Sequence, residues 1–122
     1  MTARSLARLQ ALGRTVLGTG LVLAPGVVAG GWVGGVADRR EGQALAIGMG
    51  ARDVGLGLGT LRALSAGRGA GPWLRAGIVA DAADLYATVR ARERLPPLAA
   101  PAVIAMAGGS VLLGAYLQAA VD

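Results

Sequence analysis

Four apolar stretches separated by short charged turns set the pattern of this chain. Residues 15–37 carry no charge over 23 positions. At about 1.5 Å per residue, such a run crosses a hydrocarbon core of about 30 Å. A signal-peptide core is shorter, about 7–15 residues. The pattern therefore predicts a first membrane helix over about residues 6–35. Pro25 is expected to kink or divide it, because proline removes one backbone hydrogen bond. Trp32 is expected near the far interface. Ahead of the run, Arg4, Arg8 and Arg14 alternate with Leu6, Leu9 and Leu12 at helical spacing, which reads as an amphipathic cationic lead-in.

The second stretch, residues 43–64, is glycine-rich and holds Arg52-Asp53 at its middle. On a helix, Gly48, Arg52, Gly55, Gly59 and Arg62 share one face at steps of four and three. Gly55-x-x-x-Gly59 is the spacing that lets a second backbone approach closely. Five glycines would weaken a soluble helix by about 1 kcal/mol each. In lipid the backbone has no other partner, so helix is still expected. The third stretch, residues 73–92, places Gly77, Asp81, Asp84 and Thr88 on one narrow polar face of an otherwise apolar helix. The fourth, residues 97–121, opens on prolines and carries no charge. Gly108, Gly109, Ser110 and Gly114 offer it a close-packing patch. The fold class expected is all-α, a four-helix transmembrane bundle in one domain over residues 1–122.

Composition agrees with a membrane environment. Hydrophobic residues make up 54% of the chain and charged residues 16%, below the roughly 25% usual in globular domains. The 21 glycines fit, since glycine is more frequent in membrane helices. The formal charge is +5, but the arginines lie between apolar runs rather than along a stripe interleaved with aromatics. They are expected to anchor helix ends at headgroups, with no nucleic-acid partner. With four spans, Arg4, Arg8, Arg14, Arg62, Arg68 and Arg75 fall on one side and Arg39, Arg40, Arg90, Arg92 and Arg94 on the other. That six-to-five split orients the chain only weakly. Were the third segment to lie on the surface, the split would be nine to two, but Arg52 and Asp53 would have fewer partners.

Candidate chemistry is confined to the charges inside these stretches. An ionised group at bilayer depth costs roughly 2.5–3.5 kcal/mol on insertion scales, so it faces a partner or a cavity. Arg52, Asp53, Asp81 and Asp84 are therefore expected to gather inside the bundle. Arg52 would reach across to Asp81 or Asp84, with Asp53 turned to another neighbour. Gly48, Gly55 and Gly59 are the expected packing positions. With no Cys and no His, there is no disulfide framework, no thiolate or imidazole metal site and no histidine base. Asp81-x-x-Asp84 has the spacing that membrane phospho-alcohol transferases use to hold a divalent cation, but further acids a turn later are lacking. Gly55-Leu56-Gly57-Leu58-Gly59 lacks the spacing, the preceding strand and the lysine of a phosphate loop. No enzyme activity, cofactor or metal is expected.

The stretch Gly50-Ala51-Arg52-Asp53-Val54-Gly55-Leu56-Gly57, followed by Asp81 and Asp84, resembles small four-helix bacterial membrane proteins of uncharacterised families common in actinobacteria. Those carry a G-x-R-D-x-x-L-G stretch in helix two and an acidic pair in helix three. The resemblance implies the architecture and the plasma membrane, and assigns no activity. The function expected is that of a non-enzymatic membrane protein whose Arg/Asp cluster organises the bundle and which self-associates or docks to a membrane partner. The rival expectation is a proton- or cation-coupled transporter, or a ligand-binding protein, that uses Asp81 and Asp84.

Overall fold

Pro25 decides where the first apolar run stops being one helix. In the computed structural model, which describes all residues from Met1 to Asp122, α1 spans Ala3–Leu23 and α2 spans Pro25–Val33. At the break at Ala24, α1 and the segment Pro25–Asp38 are bent by 108°. Ala24 sits at φ −138° and ψ 62°, outside the helical region. The cause is local: the proline ring disfavours helix at the residue before it, while proline itself is welcome at a first helical position. The single helix expected over residues 6–35 is thus two helices, and the cationic lead-in forms the first half of α1. Thr2 caps α1 by accepting the Ser5 N–H at 3.1 Å.

A 3-10 turn, Gly34–Asp38, returns the chain to α3, Arg40–Ser65. Gly67 ends α3 with φ 65°, and the Arg68 N–H bonds the Ala63 carbonyl at 2.9 Å. This closure needs a left-handed residue, which glycine adopts without a Cβ penalty. α4 spans Gly71–Ala91, a second 3-10 turn covers Arg92–Arg94, and α5 spans Ala99–Ala120. The chain is all-helical, with five α-helices and no strand.

The long helices pack as two antiparallel pairs. In the α1–α3 pair the seam is built from small residues at alternating steps of four and three. Ala7, Ala11, Gly18 and Leu21 are buried on α1, and Ala46, Gly50, Asp53, Gly57, Thr60 and Leu64 on α3. Gly18 meets Gly50: a Cβ on either would stand 2.5 Å from the other's carbonyl oxygen. Backbones that close admit no side chain between them. In the α4–α5 pair, Asp81 faces Ser110, and a Cβ on Gly114 would come 2.8 Å from Ile78.

Two small apolar clusters close the ends of the bundle. Ala7, Ala63, Leu64, Ala70, Leu74 and Leu117 pack together at the end that holds both termini. There the Asp122 carboxylate accepts the Ala70 and Gly71 N–H groups at 3.1 and 2.7 Å, capping α4. Arg4 donates to the Leu64 carbonyl at 2.7 Å, near the end of α3. Leu21, Ala29, Ala37 and Ala46 form the cluster at the opposite end.

One helix, Ala99–Ala120, is long and apolar enough by itself to cross a membrane, and the bent pair Ala3–Leu23 with Pro25–Asp38 would make a second if counted as one span.

The packing glycines on α3 match the expectation at Gly59 but not at Gly48 and Gly55. Gly48 and Gly55 lie on its exposed face with open space around them, and Gly59 meets the Trp73 ring. The α1-facing glycines are Gly50 and Gly57. α3 carries glycines on two faces offset by two residues, and the face that also carries Asp53 is the one drawn onto α1.

Candidate functional site

Between the two apolar end clusters lies a charged one. Arg14, from the middle of α1, donates to Asp53 of α3 at 3.1 Å and to Asp81 of α4 at 2.5 Å. Its side chain is 11% exposed, and those of Asp53 and Asp81 are 7% and 11%. Room for the guanidinium comes from Gly77, where a Cβ would stand 3.4 Å from an Arg14 nitrogen. Asp81 also accepts the Ser110 hydroxyl at 2.6 Å, and Ser110 in turn accepts the Gln10 amide at 3.0 Å. Four helices, α1, α3, α4 and α5, therefore meet through one chain of hydrogen bonds.

Arg52 forms the outer half of the network. It grips Asp84 with two nitrogens, at 3.2 and 2.8 Å. Such a two-point grip on a carboxylate is geometrically specific as well as strong. Longer contacts, 3.3 and 3.4 Å, tie Arg52 to its neighbour Asp53. Arg52 is more accessible than Arg14, with 30% of its side chain exposed. Further along α4, Thr88 donates to the Asp84 carbonyl at 2.7 Å and accepts the Trp32 ring N–H at 3.0 Å. That bond fastens α2 to α4.

The four charged residues singled out in the sequence, Arg52, Asp53, Asp81 and Asp84, thus come together. The fifth member, Arg14, was assigned to the lipid headgroups by sequence reasoning and instead lies at the centre. Its position shows in the spacing: Ala7, Ala11, Arg14, Gly18 and Leu21 form one stripe, and the other four are small or apolar and buried. Arg8, off that stripe, is exposed. Asp81 and Asp84 do not act as a pair, because each carboxylate turns to a different arginine. No three acidic, histidine or cysteine side chains converge as metal ligands.

The network is also the floor of a cleft. α1 and α5 touch at Gln10 and Ser110, and beyond that contact a space of about 720 Å³ opens between α1, α2 and α5. Leu17, Leu21, Val28, Val103 and Met106 are among its walls, and Arg14, Asp53, Asp81 and Asp84 line it from below. This volume lies within the range of about 300–1,000 Å³ typical of small-molecule sites. Asp84 has both oxygens engaged by Arg52, whereas Asp53 and Asp81 each use one oxygen for every bond they make. No protein-family model, curated protein or solved structure matches this chain.

Proposed function

We propose that this chain is a non-enzymatic, multi-pass protein of the bacterial plasma membrane, with α1, α3, α4 and α5 as four spans and α2 lying across one end. The Arg–Asp network clamps the two helix pairs to each other. The observation that carries the reading is the inverted placement of polar and apolar residues. Arg14, Asp53 and Asp81 are inside, while Val16, Ile47, Val79 and Leu112 face outward along the helices. Only 22% of the apolar stretch of α5 is buried, where a soluble core helix would be mostly buried. The exposed arginines Arg39, Arg40, Arg62, Arg68, Arg75, Arg90, Arg92 and Arg94 cluster towards the two ends. α3 and α4 are more charged along their length, and of those charges Arg52, Asp53, Asp81 and Asp84 are paired inside.

The open glycine face of α3, at Gly48 and Gly55, supports a further part of the reading: self-association, or docking to a membrane partner, through close helix contact. The test is fractionation of the expressed chain. It should stay with the membrane through alkaline carbonate washing and need detergent for release. A chain that is monomeric and folded in detergent-free buffer refutes the proposal.

A second reading, ligand binding or cation-coupled transport, is favoured by one observation. Asp53 and Asp81 each keep a carboxylate oxygen free of protein donors, and both residues line the cleft. In this reading Asp53 replaces Asp84 beside Asp81, since Asp84 is held by Arg52 on both oxygens.

A further inference from the structure

We infer that the cleft binds a hydrophobic amine: an apolar body carrying a single protonated ammonium, seated with its charge on Asp53 and Asp81. The inference rests on the ligand-binding reading above and names the ligand class for that site.

Charge is the first argument. Two arginines, Arg14 and Arg52, face three carboxylates, Asp53, Asp81 and Asp84. With all five ionised, the floor holds one negative charge in excess. The elements packed around it supply no further cation: α5 brings Ser110, α2 brings Trp32, and α1 adds Gln10. Each carboxylate has an arginine beside it, but two arginines are shared among three acids, and a bound cation would cancel the remaining charge.

Hydrogen-bonding capacity is the second. The free oxygens on Asp53 and Asp81 are acceptors without donors, and an ammonium carries only donors. Shape and polarity are the third. A bare metal ion wants six or more oxygen ligands if it is calcium, or a tight octahedron if it is magnesium. A cleft of about 720 Å³ with aliphatic walls offers neither. It suits a hydrocarbon body attached to the charge. A plain acyl chain would fill the walls equally well but leave the excess charge unmet.

Trp32 lines the cleft and provides the readout. In a Trp73→Phe background, purified protein in detergent is titrated with an ω-bromoalkylamine at neutral pH. The alcohol and the alkyl sulfate of the same chain length are titrated in parallel, and bromine quenching of Trp32 is recorded. The amine should quench at concentrations at least tenfold below the alcohol, and the sulfate should be weakest. Asp81→Asn should erase the preference for the amine. Gly31 also lines the cleft and has open space around it, so Gly31→Leu should fold normally and weaken quenching by the amine. Equal potency of amine and alcohol in the parent protein would mean that an acyl chain fills the site, and overturns the inference. So would stronger quenching by the sulfate, or unchanged amine quenching in folded Gly31→Leu. None of these outcomes touches the membrane and clamp roles, which the fractionation and the Arg14 variants below test separately.

Discussion

Arg14 and Asp81 are joined by the shortest ion pair in the protein, 2.5 Å between a guanidinium nitrogen and a carboxylate oxygen, across two helices that belong to different pairs. The same guanidinium holds Asp53 on α3 at 3.1 Å. One side chain therefore ties the α1–α3 pair internally and fastens it to α4.

Removing that side chain should be the most damaging charge deletion available. Arg14→Met leaves Asp81 with no cation and Asp53 with only its longer contact to Arg52. Breaking a buried pair from one side costs about 3–5 kcal/mol, so the loss should appear as a large fall in thermal midpoint in detergent. Arg8→Met, six residues earlier on the exposed face, should change it little. Adding Asp81→Leu and Asp53→Leu to Arg14→Met should recover part of the loss, because no buried charge then stands alone.

The glycines of α3 separate just as sharply. Gly50→Ala puts a methyl group 2.5 Å from the Gly18 carbonyl oxygen, so the helices must part. Overpacking of this kind costs about 1–3 kcal/mol. Gly48→Ala and Gly55→Ala meet open space and should be neutral, or stabilising by up to about 1 kcal/mol through helix propensity. Unfolding midpoints of the three single variants decide the matter. If Gly48 and Gly55 form a contact between copies, their substitutions should instead reduce cross-linking without loss of fold.

These contrasts show what the sequence could and could not carry. Arg52, Asp53, Asp81 and Asp84 are conspicuous because each interrupts an apolar stretch, and a charge there needs a reason. Arg14 is not, because it precedes the uncharged run and stands in series with Arg4 and Arg8, which resemble ordinary headgroup anchors. Only its place on the Ala7–Ala11–Gly18–Leu21 stripe sets it apart. The break at Ala24 is written locally by Pro25, but its 108° bend depends on how α2 packs, which no local rule supplies. The choice of glycine face on α3 is likewise a property of the partner helix. Asp53 has Arg14 to meet on α1, whereas nothing covers Gly48 or Gly55.

Trp32 fastens α2 across the end of the bundle through its 3.0 Å bond to Thr88. Trp32→Phe keeps most of the ring's apolar contact and removes the donor. Thr88 still donates to the Asp84 carbonyl, so no buried donor is orphaned. The cost should be about 0.5–1.5 kcal/mol, that of one ordinary hydrogen bond. It should be local: amide exchange should rise in residues 25–38 and stay unchanged at the centres of α1 and α3. Faster exchange throughout the chain would contradict a purely local fastening.

The outer pair should behave differently from the inner one. Arg52 holds Asp84 by two bonds, yet 30% of the Arg52 side chain is exposed, and Asp53 keeps its bond to Arg14 when Arg52 is lost. Arg52→Gln therefore leaves one carboxylate, Asp84, short of a partner at a position that is itself partly exposed. A hydrogen bond to a charged group contributes about 1.5–3 kcal/mol, and partial exposure places Arg52→Gln at or below the lower end. Asp84→Asn should cost a similar amount, and the double variant little more than either single one. A double-mutant cycle on unfolding in detergent would read that coupling directly. Fully additive losses would mean that the two residues act independently. A loss at Arg52 as large as that at Arg14 would move the centre of the network from α1 to α3.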